Sequence, residues 1–232
     1  MQSWSDASFS DSFGSLKYQY YRAEHWRLAV TGSVRFPTGR WDDPNNLVDY
    51  PTGYATWGLG LHVHQDVIWQ KPGRAQQLGV LTTGDVVLNT TFHYEAMLPD
   101  EKPFRVCPIH QPICPDFDRH VQRDVGDIVE AEIAGTLGLL PGLTLTPMYT
   151  YTHKFQDHFR GDLGFNYGQL KAETDGDAHT LDLRLAYSTA LLVATKRFPV
   201  PLSVSLRYVD RLAGNNNRLH TRSIGFILAG AL

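Results

Sequence analysis

The sequence predicts an all-β fold: an antiparallel transmembrane β-barrel with about nine visible strands, out of roughly ten to twelve in a complete chain. Three observations point there. First, the C-terminal stretch alternates two residues at a time. Leu181, Leu183, Leu185 and Tyr187 alternate with Asp182, Arg184, Ala186 and Ser188; Leu202, Val204, Leu206 and Tyr208 alternate with Ser203, Ser205 and Arg207. Ile224, Phe226 and Leu228 alternate with Ser223, Gly225 and Ile227. Strand side chains change face at every residue, so each segment has one apolar face and one mostly polar or small face. A watery lumen accepts Arg and Asp on that second face, whereas a folded apolar core does not. Second, connections between such segments alternate shorter and longer, the pattern of periplasmic turns and extracellular loops. Third, Tyr, Trp and Phe gather near the strand ends, where interfacial girdles sit.

Size and composition agree. A chain of 232 residues fits a single barrel domain spanning 1–232. A formal net charge of -3 gives no basic surface for nucleic acid. No apolar run reaches the roughly 18 residues of a transmembrane helix. The opening residues Met1 to Ala7 have neither a basic nor an apolar signal region, so a mature form or one lacking upstream residues is expected.

In order, Met1 to Phe13 reads as a Ser- and Asp-rich surface loop. Strands follow at Ser15–Arg22, Arg27–Phe36, Thr56–Trp69, Leu78–Tyr94, Ile128–Leu140, Leu143–Phe155, Ala178–Lys196, Leu202–Leu212 and Leu219–Leu232. Ala23–Trp26, Gln70–Gln76, Pro141-Gly142 and Arg197–Pro201 are the shorter turns. Pro37–Ala55, Glu95–Asp127 and Gln156–Gly176 are the longer loops. An odd strand count leaves two readings open. Either at least one strand lies upstream, or a strand is miscounted around Gly161–Lys171, where Leu163, Phe165 and Tyr167 also alternate.

The segments Ser12-Phe-Gly-Ser-Leu-Lys-Tyr-Gln-Tyr20, Val34-Arg-Phe-Pro-Thr-Gly39 and Trp57-Gly-Leu-Gly-Leu61 carry a resemblance. Over about Ser12–Val63 the chain resembles the outer-membrane transporter family described as "MetA-pathway of phenol degradation". The resemblance implies a barrel in the bacterial outer membrane that admits small hydrophobic or aromatic molecules. It implies no catalytic residues.

On the lumen face the alternation places Arg27, Arg35, Asp66, Glu130, Glu132, Asp182, Arg184 and Arg207. These charges either sort solutes at a constriction or pair across the lumen and fill it. His62 and His64, with Asp66 beside them and His93 on the next strand, are candidates for a metal, but no acidic or thiolate cluster completes a site. Cys107 and Cys114 flank six residues of the longest loop and suit a disulfide in an oxidising compartment. No cofactor is expected. Ser188, Ser203 and Ser205 lack an adjacent His, with His179 and His220 at the other rim, so no enzyme is expected. The Asn89-Thr-Thr sequon falls within a strand and carries no weight.

The expected function is a channel for small solutes, with the lipid bilayer as partner and a protein docking on the extracellular loops as a further partner. Two alternatives remain: a structural or partner-binding barrel with a filled lumen, and a soluble lipocalin-like barrel. The last requires the apolar face inside and the polar face outside.

Overall fold

A computed structural model describes residues 10–41, 52–70, 80–106, 117–215 and 221–230, with the backbone alone at 117–119 and 230. Its strands are β1 (Ser12–Arg22), β2 (Trp26–Phe36), β3 (Gly58–Trp69), β4 (Val86–Met97), β5 (Asp100–Arg105), β6 (Phe117–Asp124), β7 (Ile128–Leu140), β8 (Leu143–Lys154), β9 (His158–Arg160), β10 (Gly176–Ser188), β11 (Leu202–Gly214) and β12 (Arg222–Gly230). Nine of them form one sheet in the order β1-β2-β3-β4-β7-β8-β10-β11-β12. Every neighbouring pair is antiparallel. All nine strands expected from alternation are therefore present, each beside its predecessor within the sheet.

The period-2 pattern survives because cross-strand partners share a face. Thr31, His62, His93, Glu130 and Thr152 form one row of polar partners across five strands. The neighbouring row Val30, Val63, Phe92, Ala131 and Tyr151 is mainly apolar. Burial separates the two faces in an unusual direction. Leu61 is 54% exposed, Leu16 80% and Phe226 69%, whereas Asp182, Ser205 and Glu95 are buried. A flat single-layered sheet would expose both faces alike. Along β3 and β7 the polar side is thus the more covered one and the apolar side the more exposed. This is the reverse of what a lipocalin-like barrel needs.

Aromatic residues mark both ends of the apolar face. Phe36 and Trp57 pack edge to face with centroids 5.2 Å apart at the end where β1 begins. Trp26 and Trp69 stand exposed at the opposite end. At Pro141-Gly142 the chain reverses in two residues, and Gly142 adopts φ +82, a conformation that favours glycine in a tight turn.

Several boundaries differ from the alternation reading. A bulge between Gln19 and Tyr21 inserts a residue into β1, so Tyr20 and Tyr21 are both about half exposed rather than on strictly opposite faces. Strand β4 begins at Val86. Before it, Thr82 donates its N–H (2.7 Å) and hydroxyl (2.8 Å) to the buried Asp85 carboxylate, closing a turn with Gly84 at φ +84. Strand β10 ends at Ser188, and Ala190–Ala194 is one helical turn, α1. Five consecutive Ala, Leu and Val residues have no period of two, and Ala and Leu favour helix. Gly161–Lys171 contains no strand; Tyr167–Gln169 is a single 3-10 turn.

The two longest loops also contain order that alternation missed. Strands β5, β6 and β9 form a second, three-stranded antiparallel sheet at the end of the large sheet where β1 begins. With the residues beside it, this cap buries Val106, Val121 and Val125 almost completely.

Strands β1 and β12 are the two edges of the large sheet, so among the described residues the sheet is open. Nine alternating strands leave the two edges running the same way. Residues 71–79, which hold most of the expected turn Gln70–Gln76, lie outside the described residues. No helix among the described residues is long and apolar enough to cross a membrane.

Candidate functional site

The polar face is the region where chemistry-bearing side chains converge, and its register follows from the meander. All eight charged residues expected there are on it, but the structure brings only some of them together. Arg35, near the end of β2, is the centre of one group. Its Nε and Nη2 each donate to Glu95 at 2.7 Å, and Nη1 donates to Asp11 at 3.4 Å. Asp11 also accepts from the backbone N–H groups of Gly39 (2.9 Å), Tyr54 (2.8 Å) and Ala55 (3.3 Å). Its carboxylate is wholly buried. Gly39 and Gly53 make this approach achievable, because a Cβ on either would meet an Asp11 oxygen at 2.7 Å. The rings of Phe13 and Tyr54 lie 4.5 and 5.1 Å from the guanidinium carbon.

A second group lies across β10 and β11. Arg207 Nε donates to the buried Asp182 at 2.6 Å. Arg184 faces Arg207 and Thr146 in register and is exposed. Glu130 accepts from Thr152 at 3.2 Å, while Glu132 stands between Thr91 and Thr150. Asp66 accepts from Asn89 at 2.8 Å. Arg27 is opposite Asp66 in register and is exposed.

Between β1 and β4 the same face forms a cleft of about 430 Å³, lined by Phe13, Ser15, Lys17, Thr31, Ser33 and the three histidines His62, His64 and His93. The imidazoles of His62 and His93 stack with centroids 3.8 Å apart and planes 4° from parallel; His64 lies parallel to His62 at 5.8 Å. His64 reaches Thr31 at 2.9 Å and Thr91 at 3.2 Å, and His62 reaches Ser33 at 3.4 Å. His93 Nε2 is buried without a hydrogen-bond partner among the described residues. Such an orphan costs about 1–3 kcal/mol. Metal ligands need lone pairs converging on one point, which face-to-face rings do not supply. No group of three or more His, Cys, Asp or Glu among the described residues is placed to hold a metal ion.

Sequence reasoning missed Asp11 and Glu95, which it assigned to loops, and Lys17, whose place beside the histidines depends on the pairing of β1 with β2. It also missed the cap's own anchor, in which Arg123 binds Asp100 at 2.8 and 2.6 Å and donates to the Tyr54 carbonyl at 2.9 Å. Alternation extended through Glu95 would have found that residue. The others needed tertiary contacts.

The serines considered as nucleophiles lie far along the strands from the histidine considered with them. Ser188 and Ser203 are partners at the α1 end. His179 is at the other end, where its Nδ1 and the Tyr149 hydroxyl are 2.6 Å apart. Cys107, Cys114 and His220 lie outside the described residues. No protein-family model matches the chain, and no curated protein matches it.

Proposed function

We propose that the nine-stranded sheet is the wall of an outer-membrane β-barrel and that the protein is a channel for small solutes. One observation carries this reading: large apolar side chains are exposed along the outer face, while charged and hydroxyl side chains crowd the inner one. In water, exposing that many Leu, Ile, Phe and Tyr side chains forfeits about 25 cal/mol for each Å² left unburied. In a bilayer the same face is the stable one. The aromatic residues at both ends fit the two interfaces. Antiparallel closure requires an odd number of further strands between β1 and β12, because the two edges run the same way. A complete wall of ten or more strands agrees with the even counts usual for such barrels. The resemblance over Ser12–Val63 adds aromatic or hydrophobic solutes as the cargo.

A second reading, a filled barrel that stiffens the membrane or docks a partner, is favoured by the Arg35–Glu95–Asp11 group and the Asp182–Arg207 pair. These tie the inner face to itself and to the segments beneath the cap.

Single-channel conductance in a planar bilayer, with and without small aromatics, tests both. Steady conductance that aromatics reduce supports the channel. A folded, heat-modifiable protein without conductance supports the filled barrel. Failure to insert, with full solubility in plain buffer, overturns the membrane reading.

A further inference from the structure

We propose that the histidine cleft between β1 and β4 is a binding site for a small planar monoanion, a carboxylate carried on a flat conjugated body. The inference deepens the channel reading and rests on it for the ligand's route to the site, though not for the binding itself.

The charge argument comes first. Among the described residues the only formally charged one lining the cleft is Lys17, and no carboxylate among them lines it. Three of the acidic residues along the same face are already engaged, and Glu132 lies two strands from His64, beyond Thr91. Glu95 is held by two hydrogen bonds from Arg35, Asp66 by Asn89, and Glu130 by Thr152. Lys17 itself makes no ion pair among the described residues. An ammonium in a partly enclosed polar cleft, free of a counterion, attracts an anion. The hydroxyls of Ser15, Ser33 and Thr31 stand next to it, because Ser15 pairs with Ser33 and Lys17 with Thr31 across β1 and β2. Lys17 supplies the charge for a carboxylate head, and these hydroxyls supply neutral donors beside it.

The shape argument is independent. Three imidazoles stand parallel, two of them in face-to-face contact, and the Phe13 ring closes the cleft at one end. Flat surfaces of this kind favour flat ligands, by offset stacking and edge contacts. A cleft of about 430 Å³ is within the range of small-molecule sites. The unpartnered His93 nitrogen shows that the stack is held at the expense of one hydrogen bond. A buried polar group left unsatisfied calls for an explanation, and a bound partner is one.

The test is titration calorimetry on the full chain in detergent, with benzoate as probe. Benzamide (flat and neutral) and cyclohexanecarboxylate (charged and not flat) are the controls. One benzoate site is expected, with benzamide at least tenfold weaker and cyclohexanecarboxylate several-fold weaker. Lys17→Gln should reduce benzoate affinity at least tenfold and Lys17→Arg should restore most of it. His62→Ala should reduce the preference for benzoate over cyclohexanecarboxylate. Each variant is checked for heat-modifiable mobility; Lys17 is on an exposed strand, so its replacement leaves folding intact. Equal binding of benzoate and benzamide, no benzoate binding, or an unchanged affinity in folded Lys17→Gln overturns the proposal. Conductance read in parallel separates the two readings. Benzoate binding without conductance retains the site and removes the channel. Conductance without benzoate binding does the opposite.

Discussion

The cap and the large sheet distribute their apolar residues in opposite ways. In the cap region, Val106, Val121 and Val125 are almost fully buried, and charged residues such as Glu101 and His120 are exposed. That is the arrangement of a protein in water. A few residues away, β3 exposes Leu59, Leu61 and Val63 on one face and tucks His62 and His64 on the other. The same chain thus buries apolar residues at one end and displays them along the wall. The two patterns ask for different solvents, and under the proposed membrane reading the apolar face of the large sheet meets lipid while the cap meets water.

The comparison can be broken by mutation. The largest effect is expected at the junction of the two regions, where Arg35→Ala would leave Glu95 and Asp11 buried without their cation. Removing one partner of a buried pair costs about 3–5 kcal/mol. Urea unfolding should show a loss of that order; a change under about 0.5 kcal/mol would mean that the rim is wet and loosely held.

Next is Leu61→Arg on the outer face. If lipid meets this face, an arginine near the bilayer midplane costs about 2–4 kcal/mol, read from folding into vesicles. If water meets it, replacing a half-exposed Leu changes stability by no more than about 0.5 kcal/mol, and the proposed orientation fails.

A smaller effect belongs to the cap alone. Val121→Ala removes a fully buried side chain, and the loss should be about 1–2 kcal/mol from transfer and cavity terms. Proteolysis within the cap should accelerate while the heat-modifiable mobility of the wall stays unchanged. Loss of both together would show that the regions fold as one unit.

The smallest change is expected from Asp182→Asn. Its partner Arg207 is about half exposed, so solvent screens the pair. The loss should be about 1 kcal/mol or less and should shrink further at high salt. A salt-independent loss above 3 kcal/mol would place the pair in a dry interior and favour the filled-barrel reading.

The strand pattern was readable because a period of two needs only local information. His62, Val63 and His64 alternate in sequence and alternate in exposure, so all nine strands of the wall could be located without knowing their neighbours. The same method failed at Ala190–Ala194, where consecutive apolar residues allow a helical turn. It failed again in β5, where Pro103 coincides with a shift of register, and in β9, which has only three residues. Short strands of that kind hold their shape through β6 rather than through their own pattern.

What the sequence determined by itself is the alternation: which residues share a strand face, where the nine strands of the large sheet run, and that one face is apolar and the other polar. Those properties follow from the backbone geometry of a single strand. Only the tertiary structure decided which side chains are covered and which charges meet. Arg35 reaches Glu95 sixty positions away, and Lys17 joins the histidines only through the pairing of β1 with β2 and of β2 with β3. Such contacts depend on register and curl, which arise from many strands acting together and leave no mark in any one of them.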